Sequence, residues 1–278
     1  MKYNIRGDLI MKKILIILMC VGLLLYCGYD LYSIYFQTTD YEYLDEFIIT
    51  PEPEIKVEEV VEEKVEIPVI NEEPIIEEVI LDLEPEYQLF YNWEELQELN
   101  SDIKGWLYIN DDINYPVVQA SNNDYYLRKN LQKEYDVNGS IFFDKNVSEN
   151  TKNKIIHGHN MGSKKTVMFS LLEDYFDNPD YIKENPYIYY TPMNGYTEEY
   201  QLAFVLHFNI KNLEKVNYLK QDFLSEDDFY QWLELMKSNS FYSSDIDINF
   251  DDELLTLSTC DKRFYSNGRF VVIFKKIS

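Results

Sequence analysis

From residue 105 onward the apolar positions gather into eight short runs: "GWLYI" (105–109), "YPVVQ" (115–119), "GSIFFD" (139–144), "NKIIHGH" (153–159), "YIYYT" (187–191), "YQLAFVLHFNI" (200–210), "LLTLSTC" (254–260) and "RFVVIFKKI" (269–277). Gly, Asn and Asp punctuate the stretches between them, which is the pattern of strands closed by turns. Such spacing predicts a β-barrel or a sandwich in place of repeated βαβ units. Helical spacing is confined to a few places. In "NWEELQELNSDIKGW" Asn92 is followed three residues later by Glu95, a capping-box pattern, and Trp93, Leu96 and Leu99 share one face. "SEDDFYQWLELMKSN" has the same form, with Ser225 as cap and Asp228 three residues on. A shorter helix is predicted after Met168, in "MFSLLEDYF". No internal repeat and no second domain interrupt this mainly β fold with peripheral helices, which starts near Tyr87 and runs to Ser278.

The N-terminal pattern is different. In "MKKILIILMCVGLLLYCGYDLYSIYF" an apolar run extends from Ile14 to Tyr29 and fades through Tyr32 and Phe36. It is slightly short of the roughly 20 residues of a full span unless Leu31 to Phe36 contribute. Lys2, Arg6, Lys12 and Lys13 precede it and acidic residues follow, so residues 1–11 are expected in the cytoplasm and the rest outside. A cleaved signal peptide needs small residues at its end, where "LLLYCGYD" offers Tyr26 and Cys27. Tyr26 weakens a lipid-attachment site at Cys27 for the same reason. Residues 12–36 are therefore read as an uncleaved signal anchor. Cys20 and Cys27 then act as small hydrophobes. Cys260 is left as the single thiol of the exported part, and an odd cysteine there is a candidate for reactivity.

Between anchor and fold lies a spacer, residues 37–86. From Asp40 to Glu86 it holds 18 acidic residues against Lys56 and Lys64, much of the chain's formal charge of −25. Pro51, Pro53, Pro68, Pro74 and Pro85 interrupt any long helix, although Val57, Val60, Val61 and Val65 could share one face of a brief one. A solvated, self-repelling coil of about 50 residues averages about 40 Å end to end, and charge extends it. An acidic tail that binds a partner is the alternative, and nothing in it identifies that partner. The acidity argues against a nucleic-acid groove, which needs clustered Lys and Arg. With 278 residues, 25 of them Tyr and 16 Phe, the remainder has ample material for a core.

Candidate chemistry is sparse enough to enumerate. Cys260 ends a strand, and a lone thiol there is either core filling or a nucleophile. Two of the three histidines lie in "IIHGHNMG", where Gly158 turns the chain at a strand end. Read singly, His157 and His159 are surface loop residues and His207 is a satisfied strand histidine. Read together with Arg269, which opens the last strand, they suggest more. A thiol with a pKa of about 8.5 needs help to act near neutrality. An imidazole can take its proton and later protonate a leaving amine. Arginine keeps its charge and forked donors throughout, which suits a developing oxyanion.

These residues also carry a resemblance. "TLSTC" followed nine residues later by Arg269 in "GRFVVIF" looks like the signature of the sortases, and "IIHGHNM" followed by "TVMFSLL" looks like their histidine segment. "INYPVVQASNNDYYL", "GSIFFD", "LSTCD" and the long helix Ser225–Asn239 resemble class B members in particular. The likeness runs from about Asn92 to the C-terminus. It implies an eight-stranded sortase-type β-barrel with the active site in a groove on its wall, in a membrane-anchored cysteine transpeptidase of Gram-positive cell envelopes. Carried over by motif, Cys260 would attack the Thr carbonyl of a C-terminal sorting motif on a surface protein. A peptidoglycan precursor amine would then release the thioacyl enzyme. His159, which follows the glycine of the family's Gly-His pair, would be the general acid and base. Arg269 would position the peptide and stabilise the oxyanion, and Arg263 is read as a solvated loop charge. The segment matching "NNDYYL" implies Asn123 and Leu127 as substrate-groove residues, with Ser258 as a further one. His157 departs from the family, standing where class B members more often have an aromatic residue.

The acidic clusters that bind calcium in some class A sortases have no evident counterpart in this sequence, so no metal and no cofactor are expected. Three alternatives share the motifs. A pilin-polymerising sortase would use a lysine amine at the same thiol. A plain cysteine protease would let water resolve the thioacyl enzyme. A catalytically silent barrel would only bind peptides or wall glycans.

Overall fold

The computed structural model describes residues 13, 15–29, 41–49, 90–111, 113–162, 167–193, 195–212, 216–261 and 267–278. The expected cytoplasmic tail, the acidic spacer apart from residues 41–49, and Arg263 lie outside the described residues. The chain divides after Phe47. In the first unit residues 15–29 are helical, with Cys20 and Cys27 exposed, and a 3-10 turn covers Glu42–Phe47. Among the described residues no helix is long and apolar enough to cross a membrane.

The second unit opens with a two-stranded antiparallel pair, β1 (Ile48–Ile49) with β2 (Phe90–Tyr91). Helix α1 (Trp93–Leu99) follows. Its Asn92 cap accepts from the Glu95 amide at 3.4 Å, and Leu96 is its buried residue. The main sheet contains β3 (Ile103–Asn110), β4 (Ile113–Val118), β5 (Phe142–Phe143), β6 (Asn153–His157), β7 (Tyr187–Pro192), β8 (Glu198–Asn209), β9 (Tyr242–Ser243), β10 (Leu254–Asp261) and β11 (Gly268–Lys276). Its order is β11-β10-β6-β5-β4-β3-β7-β8-β9, and β11 also pairs with β8. That last pairing closes eight strands into a barrel and leaves β9 as an outer addition. The predicted strand runs are these eight, and closure decides for the barrel over the sandwich.

The segment after β6 differs in detail from the single short helix expected there. Met168 sits in the left-handed region at φ 53, so regular structure begins only beyond it. A 3-10 turn, Ser170–Glu173, runs into α2 (Asp174–Asp177), and a further helix, α3 (Pro179–Glu184), follows. Asn178 caps α3 by accepting from the Asp180 amide at 3.1 Å, with Pro179 at its first position.

Helix α4 (Glu226–Asn239) lies where the pattern put it, with the Ser225 hydroxyl accepting from the Asp228 amide at 3.2 Å. Phe229, Trp232 and Met236 bury against Ala203, Phe204 and Leu206 of β8 and Val271 and Ile273 of β11. This explains why β10 and β11 read as nearly continuous apolar runs: both of their faces are covered. The Trp232 indole also donates to the Asn217 carbonyl at 2.8 Å, which fixes the segment carrying Tyr218.

Candidate active site

Strands β6 and β10 run parallel, with His157 opposite Ser258, so both chains emerge at the same rim. The Gly158 amide continues the pairing by donating to the Ser258 carbonyl at 3.2 Å, and the Thr259 hydroxyl donates to the Gly158 carbonyl at 2.8 Å. His159 and Cys260 follow directly on these bonded neighbours. On the other side β10 pairs antiparallel with β11, and the register sets Cys260 opposite Arg269.

The Arg269 Nη1 donates to the Cys260 Sγ at 3.2 Å and to the Gly268 carbonyl at 3.1 Å. Cys260 is partly exposed, whereas Ser258 and Thr259 just before it are buried. Tyr218, only 3% exposed, stands behind the pair: its hydroxyl accepts from the Ser258 hydroxyl at 3.1 Å and hydrogen-bonds with Arg269. Burial pushes the Tyr218 phenol up despite those two donors, so it stays neutral. A donor fork that reaches the sulfur can equally reach an oxyanion formed on an acyl group attached there.

His159 is held from the opposite side. Its Nε2 lies 2.7 Å from the Leu127 carbonyl, at the 3-10 turn Tyr125–Arg128. A carbonyl only accepts, so Nε2 carries the proton. Asp136, half-buried beside this turn, feels the His159 charge; its carboxyl is raised, by burial above all, against the opposing effects of the Asn138 amide and His159. Two glycines permit the arrangement. Gly139 has φ +62, and a Cβ there would meet the Leu127 carbonyl oxygen at 2.8 Å. A Cβ at Gly158 would meet the Phe169 ring at 2.6 Å and Ile141 at 3.0 Å. Gly158→Ala is accordingly expected to cost about 1–3 kcal/mol by overpacking a buried ring. A thermal melt beside the parent checks this, with roughly 2–4 °C expected per kcal/mol.

Asn123 and His157 meet at Asp144, a 5% exposed carboxylate at the end of β5. Asn123 Nδ2 donates to Asp144 Oδ2 at 2.7 Å, His157 Nε2 lies 3.2 Å from the same oxygen, and the Asn146 amide donates to Oδ1 at 3.0 Å. Burial works to raise the Asp144 carboxyl, but the donors His157, Asn146, Gln221 and Asn123 together hold it well below the usual range. A depressed pKa contributes stability that is fully present above the unfolded value of about 3.9 and is lost as pH falls through the folded value. Asp144→Asn is expected to remove about 1–3 kcal/mol at pH 7, with the deficit shrinking as the parent is acidified below about pH 4. Denaturant titrations of both proteins at pH 7, 5 and 3 measure it.

The predicted residues thus fall into linked groups. Cys260 and Arg269 touch. His159 follows the strand that neighbours β10 on its parallel side and takes its bond from the Leu127 backbone. Ser258 is buried against Tyr218, and Asn123 is bound through both ends of its amide, since its Oδ1 accepts from the Lys145 amide at 2.7 Å. Tyr218 and Asp144 carried no local signal in the sequence, because their partners are distant along the chain.

The sortase domain family matches residues 109–277. The chain is 34% identical over 191 residues to sortase B of Staphylococcus aureus, covering 66% of this chain and 74% of that protein. It is 36% identical over 188 residues to sortase B of Listeria monocytogenes, covering 66% and 73%. Its fold is similar to the X-ray structure of Clostridium perfringens sortase B, with a TM-score of 0.61 at 32% identity over 66% of this chain and 99% of that one. A substrate complex of Staphylococcus aureus sortase B gives a TM-score of 0.60 at 32% identity, over 67% and 84%. With the eight-stranded barrel and these likenesses together, the chain belongs to the sortase family, in its class B branch, and is a cysteine transpeptidase.

Proposed function

We propose that this enzyme is held at the cell membrane by residues 12–36, with its barrel outside, and joins surface proteins to the cell wall. Under this reading it cleaves a C-terminal sorting motif after Thr and passes the acyl group to a peptidoglycan precursor amine. The observation that carries the proposal is the cross-strand contact of Arg269 with the Cys260 sulfur at 3.2 Å, at the rim where His159 emerges. The anchor rests on the sequence of residues 12–36, of which 15–29 are helical with exposed apolar side chains.

The chemistry balances in two steps. The Cys260 thiol gives its proton to His159 as its sulfur attacks the Thr carbonyl carbon, a C–S bond forms, and the charge that builds on oxygen meets the Arg269 fork. His159 protonates the departing amine as the C–N bond breaks, leaving a thioacyl enzyme. The acceptor amine then attacks the same carbon, gives its proton to His159 and expels the sulfur. Leu127 lines the peptide groove in this reading, while Asn123 and Ser258, whose polar atoms are bonded to neighbours, shape it through those neighbours.

The test incubates the full-length chain with a library of fluorogenic sorting pentapeptides, with and without short amine acceptors, and follows products by mass spectrometry. Amine-linked product cut at the Thr carbonyl supports the proposal. Acid product alone, whatever amine is added, would make the enzyme a protease under these conditions, and no thioacyl adduct on any peptide would overturn the reading.

A further inference from the structure

We propose that Asp144 is a positioning residue of the transpeptidase site, the common anchor that brings the Leu127 carbonyl and the His159 imidazole together. The catalytic meaning of this anchor rests on the proposed role of His159, but the anchoring itself is argued from geometry alone. The His159–Leu127 bond joins two separate segments, and Asp144 holds each of them a few residues upstream of the bond. On one side is Asn123, four residues before Leu127. Its amide is stapled at both ends, to the Asp144 carboxylate and to the Lys145 amide, each at 2.7 Å. On the other side is His157, two residues before His159, with its Nε2 3.2 Å from the same Asp144 oxygen. The Asp144 amide in turn donates to the Ile155 carbonyl at 2.8 Å, which locks the anchor to β6 itself.

The far end of the turn is fixed independently. The Ser140 amide donates to the Tyr126 carbonyl at 3.0 Å, and the Asp136 amide donates to the Arg128 carbonyl at 3.1 Å. Through Ser140 the turn is tied to the segment that enters β5, which pairs with β6, and the Asp144 bracket adds a direct tie from Asn123 to the end of β6. The carboxylate is suited to it chemically. Its two oxygens accept from Asn123, His157 and Asn146, with Gln221 as a further donor. An amide in its place has one acceptor oxygen and turns its own N–H groups toward donors, so at least one of these bonds must be lost in either orientation. A misplacement of about 1 Å in a proton-transfer group can cost about 100-fold in rate, so a bracket of this kind matters to chemistry as well as to stability.

The experiment compares the full-length parent with Asp144→Asn, Asn123→Ala and His159→Ala. Histidine labelled with 15N reports the titration of the His159 imidazole by NMR, and the rate of Cys260 alkylation by iodoacetamide is followed against pH. Loosening the bracket is expected to shift the His159 midpoint by at least about half a pH unit in both Asp144→Asn and Asn123→Ala. The alkylation profile should move with it. Asp136, which interacts electrostatically with His159, must be tracked alongside, as must the Asp144–His157 pair where the substitutions act. A purely structural Asp144 would lower the melting temperature and leave the His159 titration in place, which overturns the inference. Should Asp144→Asn fail to fold, Asn123→Ala decides by the same reading, since it breaks the bracket from a partly exposed position. His159→Ala separates the two proposals: an alkylation profile unchanged by that substitution would remove the catalytic role of His159, while the imidazole titration would still decide whether Asp144 positions it.

Discussion

Cys260→Ala is expected to abolish the thioacyl adduct and to lower transpeptidation by at least about 10,000-fold, because it removes the proposed nucleophile, the sulfur beside Arg269. The fold should be nearly indifferent. Cys260 is only partly buried at a strand end, and its backbone bonds opposite Arg269 do not depend on the side chain. Alanine leaves no enclosed cavity there, so the stability change should stay within about 1 kcal/mol. Cys260→Ser is the more informative companion, since it keeps the shape and replaces a good nucleophile with a poor one at the same site. The measurements are intact-mass analysis after exposure to sorting peptides, steady-state rates, and a thermal melt of each variant. An alanine variant with substantial residual transfer would remove Cys260 from the proposed mechanism.

Arg269→Ala carries the second large effect, an expected fall of about 100- to 1,000-fold that is concentrated in kcat, as for loss of a single oxyanion donor. Binding of the ground-state peptide should change much less, since in the proposed mechanism the charge that Arg269 meets develops as the carbonyl is attacked. Arg269→Lys tests the geometry of the fork. It restores the charge, but a rotatable, point-like ammonium lacks the planar, forked geometry with which the guanidinium is held against the Cys260 sulfur and the Gly268 carbonyl. Partial recovery in kcat is expected, well short of the parent. Full activity in Arg269→Lys would reduce the role of Arg269 to charge alone. An equal rise in KM with kcat unchanged would make it a peptide-binding residue.

The fold was legible where local pattern and tertiary demand coincide. The eight strand runs are bounded by turn residues, and the Asn92 and Ser225 caps mark helices because each side chain satisfies an amide three residues on. Helix α3 is preceded by a readable cap at Asn178 and a proline at its first position, but with Tyr181 as its one buried residue it has no apolar stripe to announce it. The site divides in the same way. Cys260, His159 and Arg269 stand out as candidates because each sits at or just past a strand end beside a distinctive neighbour. Asp144 and Tyr218 are not, because what makes them notable is a set of partners brought up by barrel closure: Asp144 meets Asn123 and His157, and Tyr218 meets Ser258 and Arg269. The bond that the Leu127 backbone carbonyl accepts from His159 is equally invisible to residue identity.

The parallel pairing of β6 with β10 has a bearing on how the molecule matures. The Thr259 hydroxyl reaches the Gly158 carbonyl across 101 positions of sequence, and no short-range step can bring those two chains side by side. Contacts of such high sequence separation form late, after loop-closure entropy has been met by other pairings. Until then the thiol, its arginine and the imidazole are three unrelated groups on an unfinished chain. The kinetics of Cys260 labelling during refolding, resolved from Cys20 and Cys27 by peptide mapping, therefore offer a clock for the final zipping of the barrel.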